Sequence, residues 1–129
     1  MRRDAREIAF KIIFERLFIK KELSVDEEFF ASLEKEEDQQ FAKDIVEKFE
    51  QNEETLSAVI SSHLIGYEIE RVYRVDLALI YECLTEIKYL STPVQVAVNE
   101  TIELAKKYST EKSSKFINGV VSAILKENK

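Results

Sequence analysis

Two stretches of the chain combine cationic and aromatic side chains, and the spacing in the first suits RNA binding. The first contains Arg2, Arg3 and Arg6, followed by Phe10 and Phe14. Positions 2, 6, 10 and 14 are four residues apart, so a helix presents them on one face. Cations neutralise phosphates and aromatic rings stack on bases, which is how single-stranded RNA is bound. The pattern predicts an RNA-contacting face, with core packing as the alternative for Phe10.

The second stretch lies near the C-terminus, where Lys112, Lys115, Phe116 and Asn118 occur within seven positions of a helical pattern. Gly119 follows Asn118, at a position where packing alone would favour Ala or Leu. A glycine inside a helix costs about 1 kcal/mol relative to alanine. Close approach of another helix or a ligand is therefore expected at this point. For Phe116 the alternatives are base stacking and plain core packing.

Charge is distributed unevenly along the 129 residues, whose net charge is −6. Residues 1–21 contain seven Lys/Arg and three Asp/Glu, and residues 106–129 contain six and two, so each end carries +4. Residues 22–54 carry −10 and residues 55–105 carry −4. If the fold brings the ends together, they form a local positive patch, and phosphate binding responds to such local potential. The alternative to phosphate binding is that the C-terminal lysines only interact favourably with the dipoles at helix C-termini.

The residues that catalysis or metal binding would need are nearly absent. The chain has one cysteine, Cys83, and one histidine, His63, and no glycine-rich phosphate loop. One His and one Cys do not supply a triad or a transition-metal site. We therefore expect no enzyme activity and no cofactor. A lone cysteine and the lack of an apolar run of about 20 residues favour a cytoplasmic protein without a membrane partner.

The elements that must position these residues are helices. Two Gly and one Pro leave little material for tight turns, while apolar residues recur at helical spacing along the chain. The sequence predicts an all-α, compact bundle of about seven helices in a single domain covering residues 1–129. The first helix is expected to run from about Arg3 to about Lys20, and Ser24 is expected to begin a capping box. A third helical region, with a possible break near Asn52, is expected to close at Gly66.

Both ends of the chain resemble the NusB family of bacterial transcription antitermination factors. The resemblance rests on the arginine-rich opening, on Asn99-Glu100 with Glu103-Leu104-Ala105, and on Lys115-Phe116-Ile117-Asn118-Gly119. It implies an N-terminal three-helix and a C-terminal four-helix subdomain, about 1–65 and 66–129. It also implies a heterodimer with the ribosomal protein NusE that binds boxA-type RNA. Through that complex, the family acts indirectly on the RNA polymerase elongation complex, notably in ribosomal RNA operons.

Site residues follow from the resemblance by position. The RNA-binding set that it implies comprises Arg2, Arg3, Arg6, Phe14, Lys112, Lys115, Phe116 and Asn118. Asp76 and Glu86 match positions on the helix that leads to the NusE surface. Asp4 stands where the family often has Arg, whereas Lys112 stands where an acidic residue is common.

Two other functions remain open at this stage. One is a helical protein–protein adapter that keeps the fold without boxA binding, and the other is an accessory module for RNA modification. Salt-dependent RNA binding separates the first from an antitermination factor. The second requires a catalytic subunit from elsewhere, since residues 1–129 contain no methyl-donor-binding domain.

Overall fold

The computed structural model describes residues 2–18 and 27–127, and all regular structure within them is helical. Within these residues, six α-helices and one three-residue 3₁₀ turn, Ile69–Arg71, follow one another. The all-α prediction is confirmed, with six α-helices and this 3₁₀ turn in the described residues where about seven helices were expected. The α-helices are α1 (Arg2–Arg16), α2 (Glu27–Ala31), α3 (Glu36–Ser62), α4 (Arg74–Tyr89), α5 (Val94–Tyr108) and α6 (Glu111–Glu127).

Two predicted boundaries differ from the structure. Helix α1 ends at Arg16, and residues 17–18 form a turn instead of continuing the helix. Helix α3 is unbroken over 27 residues, and near the expected break the Asn52 side chain donates to the Lys48 carbonyl. Because that bond leaves the backbone ladder intact, Asn52 does not interrupt the helix. The capping box expected from Ser24 lies largely outside the described residues.

Helix α4 is the central element of the bundle. It packs against α1 and α3, which also contact each other, and against α5 and α6, which likewise form a pair. Its buried residues run without interruption from Asp76 to Glu86, as expected for a helix covered on every side. One hydrophobic core cluster connects all of these helices. The division into two subdomains remains a prediction, since α4 joins both groups of helices.

The turns between helices have local causes. Gly66, after α3, has a φ of +83°, a conformation that glycine adopts without the steric cost of a Cβ. Thr110 precedes α6, and its Oγ1 accepts a hydrogen bond from the Ser113 amide at 3.2 Å, which caps the helix. Pro93 stands immediately before α5. The Thr110 cap stabilises the N-terminal end of α6.

Candidate nucleic-acid interface

The first turn of α1 presents two exposed guanidinium groups. The Arg2 guanidinium carbon lies 4.3 Å from the centroid of the Phe41 ring, within the range of a cation–π interaction. Arg3 Nε donates to Glu100 Oε2 at 2.9 Å, and the Arg3 side chain remains 60% exposed. Both guanidinium groups are therefore accessible to a phosphate, although the Glu100 carboxylate partly neutralises the charge of Arg3.

Arg6 is placed differently from its two neighbours. Its side chain is 5% exposed, and its Nε donates to Glu86 Oε2 at 2.8 Å and to Oε1 at 3.0 Å. Thr92 Oγ1 also donates to Glu86 Oε1 at 3.0 Å. Each side chain is thus buried against the other in this structure, and the phosphate contact of Arg6 and the partner contact of Glu86 stay predictions.

A further buried carboxyl, Glu82, belongs to the same network. Burial, together with the hydrogen bond and repulsion from Glu86, raises the pKa of Glu82 well above its ordinary value. Burial also acts to raise the pKa of Glu86, but hydrogen bonds with Glu82 and Arg6 outweigh it and lower that pKa. Burial therefore favours the protonated form of Glu82, whose two carboxyl oxygens are both buried. Sequence reasoning overlooked Glu82; two acids four residues apart in an otherwise apolar helix were the available signal.

Aromatic side chains form a row along α1. The ring centroids of Phe10 and Phe14 are 6.5 Å apart, and those of Phe14 and Phe18 are 5.2 Å apart. Phe10 is buried and also contacts Tyr108 of α5, at 5.3 Å. Phe14 is half-buried in this row. Core packing is thus the role of Phe10, while Phe14 retains a part of its ring that faces outward.

Ion pairs fix α1 against the end of α5. Glu7 accepts hydrogen bonds from Lys107 Nζ at 2.7 Å and from the Tyr108 hydroxyl. Burial acts to raise the pKa of Glu7, but these two hydrogen bonds outweigh it and lower the pKa. The Lys107 charge is consequently matched by a carboxylate. The positive charge at the C-terminal end of α5 is therefore less available to a phosphate than the sequence alone indicates.

The N-terminal half of α6 carries the other predicted residues. Lys112, Lys115 and Asn118 are exposed, and Phe116 is half-buried. The Phe116 ring lies 6.5 Å from the ring of Tyr67, with 36° between the two planes. Phe116 therefore takes part in the core cluster on one side and lines the surface on the other.

Asp76 lies in the first turn of α4 and is 6% exposed. Its Oδ1 accepts a hydrogen bond from Ser109 Oγ at 2.8 Å. Ser109 Oγ contacts Ser113 Oγ at 2.7 Å, so this chain of bonds fixes the junction between α5 and α6. Asp76 thus stabilises this junction, and its contact with a protein partner stays a prediction.

The two halves of the predicted RNA site have different surroundings. Arg3 and Arg6 contact α5 and α4 through Glu100 and Glu86, whereas Phe116 contacts the segment after α3 through Tyr67.

Within residues 2–18 and 27–127, no group of three or more His, Cys, Asp or Glu could hold a metal ion. No described helix is long and apolar enough to cross a membrane.

Together, the fold and these surfaces define a small helical protein of the kind that binds a polyanion through exposed cations and aromatic rings. The model of the NusB family matches residues 3–126. The transcription antitermination protein NusB of Listeria monocytogenes (serotype 4a, strain HCC23) is 42% identical, and the match covers 99% of this chain and 98% of the relative. The chain belongs to the NusB family.

Solved structures show the same architecture. T. maritima NusB has a TM-score of 0.90 and 28% identity, covering 98% of this chain and 92% of its own. A second structure, described as the antitermination factors NusB and NusE in complex with double-stranded RNA, has a TM-score of 0.89 and 26% identity, covering 98% and 96%. The resemblance detected in the sequence is confirmed over the full length of the chain.

Proposed function

We propose that this chain is a non-enzymatic, cytoplasmic transcription antitermination factor that binds boxA-type RNA together with a ribosomal protein of the NusE type. The proposal is supported by the full-length similarity to relatives named transcription antitermination protein NusB. It is also supported by the similarity to a NusB that was solved with NusE and RNA. RNA polymerase would be reached indirectly, through the assembled complex.

The observation that carries the RNA-binding part is the exposure of cations at the start of two helices. Arg2 and Arg3 are exposed on α1, and Lys112 and Lys115 are exposed on α6. Each phosphate that a cation neutralises releases counterions, so RNA affinity should fall steeply as salt is added. The acidic Asp4 and Glu100 beside Arg3 reduce the local potential. Lys112 adds a cation to the α6 group, where the family commonly has an acid.

The partner-binding part is supported by the charge of the chain. Residues 22–54 carry −10, and a basic ribosomal protein would be attracted to an acidic surface, which mainly raises the association rate. Asp76 and Glu86 remain the positions that the family resemblance indicates, and their burial means that they would act by holding α4 in place. The exposed side chains that contact the partner would then lie elsewhere on the acidic surface.

The experiment is a titration of boxA-like RNA against the full chain, followed by fluorescence anisotropy at several salt concentrations. Replacing both Arg2 and Arg3 by Ala should weaken binding and lower the salt slope by about one unit for each lost phosphate contact. Lys126→Ala is the matched control, because Lys126 is exposed at the opposite end of α6 from Lys112. Equal slopes for the wild type and the double variant would contradict the proposal.

Single-stranded and double-stranded forms of the same RNA should be compared in that titration. The solved relative is in complex with double-stranded RNA, whereas exposed aromatic rings favour unpaired bases. We expect tighter binding of the single strand. If neither form binds, with or without the NusE-type protein, the adapter function becomes the better description.

A further inference from the structure

Arg3 and Arg6 lie about one turn apart on α1 and form the same kind of ion pair in different surroundings. Arg6 pairs with Glu86, and the two side chains are 5% and 0% exposed. Arg3 pairs with Glu100 of α5, and the corresponding values are 60% and 22%. A buried pair cannot separate without leaving an unpaired charge in the core, whereas an exposed pair separates into water at little cost. Of these two pairs, Arg3–Glu100 is therefore the one that can exchange partners.

Glu100 holds Arg3 in the way that a phosphate group would hold it. Arg3 Nε donates to Glu100 Oε2 at 2.9 Å, and Arg3 Nη2 donates to Oε1 at 3.3 Å. Arginine recognises carboxylates and phosphates alike through this arrangement, in which two N–H groups of one guanidinium face two oxygens of one anion. The hydrogen bond with Glu100 raises the pKa of Arg3. A phosphate that approaches this edge of the guanidinium must therefore displace the Glu100 carboxylate.

The contact between α1 and α5 does not depend on this ion pair alone. Lys107 Nζ of α5 donates to Glu7 Oε2 of α1 at 2.7 Å, and the Tyr108 hydroxyl donates to the same carboxylate. These contacts hold the two helices together when Arg3 turns away from Glu100. The pair can thus open through a side-chain movement, without a change in the fold.

We propose that Glu100 is an internal competitor for the RNA phosphate at Arg3, which holds the guanidinium in the free protein and is displaced from it when RNA binds. This role rests on the RNA-binding function proposed above and makes Glu100 a residue that sets the affinity. Because the ion pair must open before Arg3 can bind a phosphate, its stability is subtracted from the affinity for RNA. An exposed pair is worth up to about fivefold in an equilibrium constant, so the reduction in affinity is modest.

The key variant is Glu100→Gln, which removes the charge and keeps the size of the side chain. Its affinity for boxA-like single-stranded RNA should be about two- to fivefold higher than that of the wild type at low salt. The gain should shrink as salt is added, because salt screens the exposed pair that the wild type must break. The melting temperature should change by at most about 5 °C, since the pair contributes little to stability.

Glu103→Gln is the matched control, since it removes the same charge from the next turn of α5. Glu103 also acts on Arg3 through its charge, but its own ion pair is with Lys106, at 3.5 Å. Glu103→Gln should therefore raise RNA affinity less than Glu100→Gln does. The same two changes should also be made in the Arg3→Ala variant, which has no guanidinium to release. There, both should have the same small effect, because the contact that distinguishes them is gone.

The outcomes separate this inference from the proposed function. If the wild type binds RNA and Glu100→Gln leaves the affinity unchanged or lowers it, the inference is overturned and the proposed function stands. If the gain equals that of Glu103→Gln, or persists in full without Arg3, it is a general effect of charge and the inference is likewise overturned. If the wild type binds no RNA, the proposed function itself fails, and this inference fails with it.

Discussion

Replacing Arg6 by Met should strongly lower the free energy of unfolding. The side chain is 5% exposed, and its guanidinium makes two hydrogen bonds to Glu86, which is fully buried. Removing one partner of a buried ion pair leaves an uncompensated charge and typically costs about 3–5 kcal/mol. A domain of this size is stable by about 5–15 kcal/mol, so the variant should lose a large share of its stability.

The assay is urea unfolding followed by circular dichroism, with the free energy of unfolding extrapolated to water. Arg3→Met is the matched control, since Arg3 lies one turn away with an exposed ion pair, and such pairs contribute little. The loss in Arg6→Met should shrink at acidic pH, because Glu86 without its cation gains a proton more readily. The double variant Arg6→Met, Glu86→Gln should recover most of the lost stability, as the uncompensated charge is gone.

An unchanged free energy of unfolding in Arg6→Met would refute this reasoning. It would mean that the Arg6 guanidinium does not remain paired with the Glu86 carboxylate in solution and can contact RNA phosphates. The same result would restore Arg6 to the RNA-contacting set that the sequence predicts. RNA affinity of this variant should therefore be interpreted only alongside its measured stability.

Three further results are expected. Glu82→Gln should flatten the pH dependence of stability. Because the pKa of Glu82 is raised in the folded protein, the free energy of unfolding of the wild type should fall by up to about 1.4 kcal/mol per pH unit as the pH rises above the ordinary value of 4.5. Parallel stability–pH curves for the two proteins would contradict this. Gly66→Ala should cost about 1–2 kcal/mol in urea unfolding, because φ is +83° there; no loss would refute the strain. Thr110→Ala should cost about 1 kcal/mol by removing the cap of α6, and equal stability would show that the cap contributes nothing.

The helical class and most helix positions were predictable from the sequence because they depend on local information. Apolar spacing and the scarcity of glycine and proline can both be recognised within short segments of the chain. The length of α1 was overestimated, since residues 17–18 continue the apolar pattern but form a turn. Periodicity reports which residues prefer burial and does not specify where a helix must end.

The site was predictable only in part, because burial of a charge depends on residues distant in the sequence. Arg6 and Glu86 are 80 positions apart, and neither position reveals the other as its partner. The sequence correctly placed Arg2 and Arg6 on one face, since both lie over the Phe41 ring. The sequence could not show that, on this face, the Arg2 side chain is exposed whereas the Arg6 side chain is buried.

The central claim is that exposed cations on α1 and α6 bind single-stranded RNA, and that a NusE-type protein strengthens this binding. The most direct measurement is the dissociation constant of boxA-like single-stranded RNA for the full chain, with and without that protein, between low and physiological salt. We expect binding that weakens linearly in log–log form as salt rises and that becomes tighter when the partner is added. Binding that is independent of salt, or unaffected by the partner, would contradict the account.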